Sequence, residues 1–437
     1  MLRRLLFLPR TAPHRRLFSA VASPRTEHVT IPCGSNGTVT VDIFHASRAS
    51  QSAPVLIYLP SGPLLPEHTA EEDRLVKALA ASSRSTLARI NYRATTGITW
   101  PTPLHDVLAG YDWIIQHLLS DESQVARLGV CGELLGASLA TSLALTECRL
   151  GGSRIVAAAA NNPVADWVFA DDLPVAEPSN LPEPRAPEET AIPADQDTMT
   201  WWAQQEDKDE RETPAKPARP KKRASKPPSA WLTNADNPVI PTLTLSAQRD
   251  ILFGNPQHMF DRFASPIHFF RSPHGELIYP KDDDGFASLD PLDIEDRLDI
   301  NHYESRQDME RDRAPLMPVL RRCRAYARIY PPANMLLSLP QWHITTGLNS
   351  PLLDQASELA KMLKRSIARR QLRTKTARIM WQDPVEKAKY EAWADQRVGL
   401  STSEGVGLWT VSDSPSWQDG VESLGRWMEE CLTSKPA

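Results

Sequence analysis

Glycine and cysteine are scarce in this chain of 437 residues, and long apolar runs are lacking. Only 19 glycines stand against 38 prolines, which indicates a proline-rich irregular stretch rather than flexible glycine linkers. The five cysteines are scattered without a CxxC pair, so we expect neither a disulfide framework nor a zinc site. A bilayer crossing needs about 20 consecutive apolar residues, so we also expect no transmembrane segment.

Excess charge of one sign and common cofactor motifs are lacking as well. The formal net charge is −5, so no overall charge draws the chain toward nucleic acid or anionic lipid. There is no GxxxxGK[ST] loop, no GxGxxG run after a strand and no HExxH motif. His258, His268 and His274 lack the spacing of metal ligands within one element. We therefore expect no metal and no other cofactor.

The first 25 residues form a basic segment without an acidic side chain. Six arginines interleave with leucine and phenylalanine, and the first acidic residue is Glu27. Such arginine-rich, acid-poor amphipathic segments are typical of mitochondrial transit peptides. Residues 1–25 therefore predict a mitochondrial address, in the matrix. The alternative is a disordered basic tail.

Short apolar runs alternate with helical patterns from residue 28 onward. We predict strands over 39–45, 54–59, 86–92, 126–131, 154–161, 340–346 and 406–411, and helices over 70–81, 104–119, 135–146, 352–367 and 420–432. Strands that are separated by single helices predict a parallel, doubly wound sheet of the α/β class.

Two charged stretches interrupt this alternation. Residues 171–238 contain the run TPAKPARPKKRASKPP, and residues 283–314 are acidic, so neither stretch has enough apolar residues for a core of its own. We predict that both are of low order. The predicted organisation is a first core part over 28–170, a cap or insertion over 171–325 and a second core part over 326–437.

Four motifs occur in an order that matches one family. They are VLIYLPSGP over 55–63, NYR over 91–93, LGVCGELLGA over 128–137, and FASP over 263–266 followed by TGLNSPLLD over 346–354. With these motifs the chain resembles the esterase and lipase branch of the α/β-hydrolases typified by hormone-sensitive lipase, over about residues 54–432. The resemblance implies a three-layer α/β-hydrolase fold with a mostly parallel central sheet, a cap-like insertion and, in active members, a Ser-His-acid triad.

Leucine occupies the nucleophile position of this family. Where the family has Gly-Asp-Ser-Ala-Gly, the chain has Gly132-Glu-Leu134-Leu-Gly136. The two glycines keep the frame of the nucleophile elbow, the sharp turn from a strand into a helix. Leucine has no nucleophilic atom that a base could activate. The sequence therefore predicts an elbow that has kept its turn and lost its reacting atom.

The oxyanion loop of the family is altered too. Its His-Gly-Gly-Gly motif corresponds to Pro60-Ser61-Gly62-Pro63, and proline supplies no N–H donor to a developing negative charge. The backbone N–H groups of Gly62 and Leu135 remain as donors. The predicted oxyanion site is damaged rather than absent.

The other two triad positions are vacant by the same alignment. The acid position after the 340–346 strand falls on Ser350, and a serine cannot balance the charge of an imidazolium. The histidine position after the 406–411 strand falls near Ser416, in a stretch without histidine.

Other candidates could replace the missing groups. Asp250, after the run LTLSAQR, and His274 before Gly275 have the order of an acid and a histidine in this fold. Cys131 precedes the elbow on a buried strand, and Ser138 lies one turn beyond it. We regard both as packing residues and keep them as alternative nucleophiles.

The sequence thus favours a degenerate hydrolase that binds a small-molecule ligand or a protein partner, neither of which the sequence identifies, and whether it is an enzyme stays open. The alternative is an active hydrolase of a small ester, amide or lipid with a non-standard nucleophile. A further hypothesis concerns the basic segment Lys361–Arg378, which is either a solvated helix face or a contact for RNA or a ribosomal surface.

Overall fold

The structure, a computed structural model, describes residues 26–34, 37–46, 54–64, 69–119, 127–174, 181–194, 229–279, 318–332, 335–375, 384–411 and 417–434. The segment 1–25, with its predicted targeting signal, lies outside these residues. So do 175–180, 195–228 and 280–317 of the predicted insertion. Residues 181–194 and 229–238, which belong to the stretch predicted to be of low order, are described.

An eight-stranded sheet forms the centre of the fold. Its strands in spatial order are β1 (Thr26–Pro32), β2 (Thr38–Phe44), β4 (Thr86–Asn91), β3 (Val55–Leu59), β5 (Arg127–Glu133), β6 (Arg154–Asn161), β9 (Gln341–Gly347) and β10 (Val398–Ser403). The pairs β1–β2 and β2–β4 are antiparallel. All the following pairs are parallel. The predicted mostly parallel α/β sheet is confirmed.

Helices cover both faces of the sheet. They are α1 (Thr69–Ser83), α2 (Thr102–Leu118), α3 (Leu135–Thr146), α6 (Leu353–Lys375), α7 (Pro384–Arg397) and α8 (Trp417–Thr433). Leu56 and Tyr58 of β3 share an apolar cluster with α1 and α8, whereas Val55 and Ile57 share one with α2, α3 and α6. Side chains alternate between the faces of a strand, so both faces of β3 are buried and the predicted three layers are confirmed.

The insertion between β6 and β9 contributes short elements, one of which packs against the turn that follows β3. Its described parts include α4 (Ala230–Thr233), α5 (Thr242–Leu252) and the antiparallel hairpin of β7 (Gly275–Ile278) and β8 (Val319–Arg322). The predicted boundaries of this insertion stay predictions. Among the described helices, none combines the length and apolar character that a membrane crossing requires.

One predicted strand is wrong. Residues 406–411 form an irregular loop, and the last strand is β10, eight residues earlier at its start. Leu408 and Trp409 are buried in this loop, so the apolar run reflects packing and not a strand. The strand β10 lies at the sheet edge, where most of its side chains are exposed, and its sequence VGLSTS therefore carries no strong apolar pattern.

Candidate functional site

The turn between β5 and α3 has the geometry of a nucleophile elbow. Leu134 stands alone between the end of the strand at Glu133 and the start of the helix at Leu135, with φ 52° and ψ −115°. A non-glycine residue in this region is strained by about 1–3 kcal/mol and persists only where the surroundings impose it. The predicted turn is therefore present, with leucine at its tip.

Two close backbone approaches explain the glycines on either side of the tip. A Cβ on Gly132 would lie 2.4 Å from the carbonyl oxygen of Gly136, and a Cβ on Gly136 would lie 2.1 Å from the carbonyl oxygen of Pro60. Neither backbone atom can move aside without displacing helix α3, which contains Gly136, or the end of β3, which precedes Pro60. The motif Gly132-x-x-x-Gly136 is thus a packing requirement of the turn, which is independent of any reacting atom.

The side chain at the tip is sealed in the protein core. Leu134 has no solvent-accessible surface, and it belongs to the apolar cluster that also contains Leu135 and Trp100. Its N–H donates to the carbonyl oxygen of Asn161 at 3.0 Å, and its own carbonyl oxygen accepts from the N–H of Ser138 at 3.1 Å. In an esterase this position presents a hydroxyl to substrate, whereas here it is a core position.

The loop that corresponds to the oxyanion hole is also packed. Gly62 has φ +75°, and a Cβ there would lie 2.9 Å from the Tyr92 hydroxyl and 3.3 Å from Cδ2 of Leu135. The Tyr92 hydroxyl donates to the carbonyl oxygen of Pro60 at 2.7 Å, and Ser61 beside it is buried. The side chain of Leu135 therefore lies where the family's alanine would leave space.

An element of the cap lies over this loop. Helix α5 packs against the short turn Gly62–Leu64, and the N–H of Trp100 donates to the carbonyl oxygen of Leu252 at 2.8 Å. Leu245 and Leu252 of this helix are buried in the same apolar cluster as Leu134. The cap thus contributes apolar side chains to the core around the elbow.

At the acid position, Ser350 acts as part of a helix start. It is fully buried, and its Oγ accepts from the N–H of Leu352 at 3.2 Å, just ahead of α6. Amide side chains of the cap bind the same loop from above. Asn237 donates to the carbonyl oxygen of Asn349 at 2.9 Å, and Asn234 donates to that of Ser350 at 3.3 Å. No carboxylate stands at this position.

The loop after β10, where the histidine would lie, is hydrogen-bonded to Glu133 of the elbow. The carboxylate of Glu133 accepts from the N–H of Trp409 at 2.5 Å and from the hydroxyl of Thr410 at 2.8 Å. Burial raises the pKa of Glu133 to about 7, and these hydrogen bonds oppose the rise. The predicted histidine position, Ser416, lies outside the described residues; the stretch 404–416 contains no histidine.

Two buried asparagines at the end of β6 complete this fastening. Asn161 donates to the carbonyl oxygen of Gly407 at 2.7 Å, and Asn162 donates to that of Val406 at 3.1 Å. The hydroxyls of Thr345 and Thr346 on β9 bind the same two amides. Buried amides contribute stability when their hydrogen bonds are satisfied. We call Glu133, Asn161, Asn162 and Thr410 the polar clamp.

The alternative acid and histidine do not form a site. The segment of Asp250, which would have to be a strand, is helix α5. The Asp250 side chain is 71% exposed and pairs with Arg249 beside it. His274 is half-buried just before β7 and lines a different cleft. This alternative interpretation is therefore wrong, because the alternation LTLS belongs to a helix whose Leu243 faces solvent while Leu245 faces the core.

The alternative nucleophiles are buried packing residues. Cys131 is fully buried on β5, and burial raises the pKa of its thiol far above the ordinary value, which disfavours the reactive thiolate. Ser138 is fully buried, and its hydroxyl lies 2.7 Å from the carbonyl oxygen of Val164 and 3.1 Å from that of Leu134. Neither side chain reaches solvent or a basic partner.

Of the other two histidines considered as metal ligands, His258 is half-buried and His268 serves the core. His268 has no solvent-accessible surface; its Nδ1 lies 3.2 Å from the carbonyl oxygen of Phe260 and its Nε2 3.7 Å from Oδ1 of Asp166. Within the described ranges, no three side chains of the metal-ligating types converge on one point.

The comparisons with known proteins agree with this architecture. The model of a family described as alpha/beta hydrolase fold matches residues 56–265, which contain the oxyanion-like loop, the elbow and the first three residues of the FASP motif. The sheet order places this elbow after the central strand β5. The chain is an α/β-hydrolase-fold protein. The predicted resemblance to the branch of hormone-sensitive lipase is confirmed.

Curated relatives match only part of the chain. Acetyl esterases of Salmonella paratyphi B and Salmonella schwarzengrund are 26% identical to it over 131 residues. The match spans 30% of this α/β-hydrolase-fold chain and 40% of each esterase, so it covers well under two thirds of those enzymes.

Solved esterase structures share the fold over nearly the whole length. An esterase of Pyrobaculum calidifontis superposes with a TM-score of 0.52 at 13% identity, covering 94% of this chain and 87% of that one. A carboxylesterase from a metagenomic library gives 0.51 at 12% identity, with 95% and 92% covered. At such identities the likeness shows the fold alone.

Sequence reasoning missed the polar clamp. Glu133 stands in the motif as the residue before the tip, and nothing in its neighbourhood predicts a partner 276 residues away at Trp409. The one available signal was an acidic residue at the end of an apolar strand, a position where a carboxylate must find hydrogen-bond donors.

Proposed function

We propose that this chain is an α/β-hydrolase-fold protein without esterase activity, which uses the scaffold to bind rather than to cleave. The observation that carries the proposal is the fully buried Leu134 at the strained tip of the elbow. A triad needs an exposed hydroxyl or thiol at this point. A leucine there removes covalent catalysis while it adds apolar contacts to the core.

The surroundings of the tip support the same proposal. The acid position holds Ser350, which is used to start α6, and the loop after β10 is bound to Glu133 instead of carrying a histidine. Restoring a single hydroxyl would therefore not restore the general base and its orienting acid. The alternative, an active hydrolase with a non-standard nucleophile, is not supported by its two candidates, because Cys131 and Ser138 are fully buried.

Turnover of activated esters tests the proposal. The purified chain is offered acyl esters of graded chain length and a fluorophosphonate probe, beside the variants Leu134→Ser and, as a matched control at a buried position of the following helix α3, Leu139→Ser. We expect no turnover and no labelling from any of them. Turnover by the unmodified chain that survives repurification and a change of expression host would overturn the proposal.

We also propose a mitochondrial location, which is supported only by the composition of residues 1–25. A fluorescent protein fused after this segment should enter mitochondria. A second fusion in which Arg3, Arg4 and Arg10 become glutamate should remain outside, because import depends on the positive charge. Equal distribution of both fusions would contradict this location.

The RNA hypothesis for Lys361–Arg378 receives no support from the described part of that segment. Lys364 pairs with Asp395 of α7 at 2.8 Å, and Arg369 donates to the carbonyl oxygen of Tyr330 at 3.0 Å. Part of its charge thus serves contacts within the chain. Residues 376–378 lie outside the described residues.

A further inference from the structure

A large cleft lies apart from the elbow. It has a volume of about 1410 Å³ and opens between the loop after β6, the first turns of α6 and the segments around residues 271–274 and 322–325. No residue of the elbow, of the oxyanion-like loop or of the polar clamp lines it. Ligand sites commonly occupy about 300–1,000 Å³, so the cleft admits an organic molecule.

A buried ion network holds the walls of the cleft in place. The guanidinium of Arg271 donates to Glu358 of α6 at 2.7 Å and to Asp166 of the loop after β6 at 2.9 Å. Burial alone would raise the pKa of the Asp166 carboxyl, but His268 and Arg271 hold it well below its usual range. The two carboxylates are therefore ionised and engaged, and the network fixes three segments against one another.

The acidic groups of the lining are already satisfied. Besides Asp166 and Glu358, the lining contains Asp354, whose carboxylate accepts from the N–H of Ala230 at 2.6 Å. None of the three is left without a donor. A cationic ligand would have to compete with these donors for the carboxylates, so the lining does not favour the binding of a cation.

Two basic groups of the lining have no acidic partner in the part of the chain that the structure describes. Arg322 makes one long contact, 3.4 Å, from Nη1 to the carbonyl oxygen of Pro174. Among the described residues, neither Arg322 nor Lys361 pairs with a carboxylate. Arg324 differs, because it pairs with Glu183 at 2.7 Å. The charged side chains of the lining that are available to a ligand are therefore the positive ones, Arg322 and Lys361.

Much of the remaining lining is apolar. Val168, Leu173, Leu181 and Met362 contribute aliphatic surface. Phe169 and Trp231 form a stacked pair with ring centroids 4.2 Å apart, and they line the cleft as well. Apolar surface recognises an alkyl or aryl portion, and a small number of charged groups fixes its polar end.

We infer that this cleft binds an amphiphilic anion, a molecule with an apolar portion and one carboxylate or phosphate group. The apolar portion contacts the wall of Leu173 and Met362, and the anionic group is held by Arg322 and Lys361. A guanidinium and an ammonium donate charge-assisted hydrogen bonds to a carboxylate and to a phosphate alike. The inference rests on the proposed function in one respect, since a protein that binds without cleaving needs a ligand site.

Calorimetric titration of the full chain with decanoate tests the inference, with decyl phosphate as the second headgroup and decanol as the neutral control. We expect saturable binding of at least one anion, at least tenfold tighter than decanol. The double variant Arg322→Ser/Lys361→Ser should weaken that binding about tenfold or more. The matched double variant Arg74→Ser/Lys77→Ser, on exposed positions of α1, should leave it unchanged.

A second variant keeps the test independent of the two cations. Ala170 is exposed at the cleft, so Ala170→Glu adds a negative charge without burying it and should weaken anion binding severalfold. Absence of binding, or binding that none of the cleft variants alters, would overturn the inference. Either result would leave the absence of esterase activity unaffected. Ester turnover would overturn that proposed function, and the titration with the cleft variants would still decide whether the cleft binds an anion.

Discussion

The carboxylate of Glu133 accepts a hydrogen bond from the hydroxyl of Thr410 at 2.8 Å. The residue beside the tip of the elbow is thereby bound to the loop that carries the histidine in active members of the family that the chain resembles. Asn161 and Asn162 bind the same loop at Gly407 and Val406. The region that would hold a triad is a network of structural contacts, and its residues have consequences for stability that can be measured.

Truncating the elbow tip should destabilise the protein strongly. Leu134→Ala removes a fully buried side chain, and such substitutions cost about 2–5 kcal/mol. Urea unfolding followed by circular dichroism measures the change. The control Leu243→Ala, at a position that is 81% exposed, should change the free energy of unfolding by less than about 0.5 kcal/mol. Equal effects would show that Leu134 does not lie in the core.

Removing the charge of Glu133 should change how stability depends on pH. Its folded pKa of about 7 lies above the ordinary glutamate pKa of 4.5, so the native state binds this proton more tightly and the stability falls as the pH rises through that window. Glu133→Gln should abolish this fall, an effect on the order of 1–3 kcal/mol by pH 8. The measurement is unfolding of both proteins between pH 4.5 and 8.

The control for this measurement is Glu404→Gln, which changes an exposed residue of the same loop. Its stability should follow that of the unmodified protein across the whole range. A Glu133→Gln curve that stays parallel to that of the unmodified protein would contradict a raised pKa at the elbow.

A methyl group at Gly136 should disrupt the elbow. The added Cβ would meet the carbonyl oxygen of Pro60 at 2.1 Å, so Gly136→Ala must displace β3 or α3, and we expect a loss of more than about 3 kcal/mol or insoluble protein. Gly420→Ala is the matched control, because Gly420 lies in helix α8 with open space around its Cβ. That change should stabilise the helix by about 0.5–1 kcal/mol. Similar outcomes for both would refute the close approach.

Replacing one side chain of the ion pair beneath the cleft should destabilise the protein more than replacing both side chains. Arg271→Met leaves Asp166 buried without its partner, and a broken buried pair costs about 3–5 kcal/mol. The double variant Arg271→Met/Asp166→Asn should recover part of this loss, which a double-mutant cycle of unfolding free energies measures. Additive losses would contradict the coupling between the two side chains.

The contribution of Asp166 to the stability of the folded state also depends on pH. Its folded pKa is lowered, so its stabilisation is present above the unfolded pKa of about 3.9 and is lost as the pH falls toward the folded value. The unmodified protein should therefore lose more stability in acid than the Arg271→Met/Asp166→Asn variant does. Parallel acid unfolding of the two proteins would argue against the lowered pKa.

The sequence predicted the elements whose residues follow a local pattern. The glycines 132 and 136 predicted the elbow, because a strand-to-helix turn with two close approaches tolerates no side chain there. The apolar runs predicted the buried strands β3, β5 and β6, since parallel strands that are covered on both faces are apolar throughout.

The sequence did not predict the strand at the sheet edge or the polar contacts between distant segments, because neither leaves a local pattern. The edge strand β10 is half-buried at Gly399 and exposed from Leu400 to Ser403, and it therefore lacks the apolar pattern that identifies buried strands. Leu408 and Trp409 are apolar because they pack in a loop. The clamp joins Glu133 to Thr410 across most of the chain, and no local pattern encodes such a pairing.

The most direct test of the account is the rate of ester hydrolysis by the purified full chain, measured with activated acetyl, butyryl and octanoyl esters beside an active acetyl esterase as the positive control. We predict a rate that equals the rate without protein for every ester, for the unmodified chain and for Leu134→Ser alike. Saturable turnover that follows the protein through two independent purifications, and that a fluorophosphonate abolishes, would contradict it.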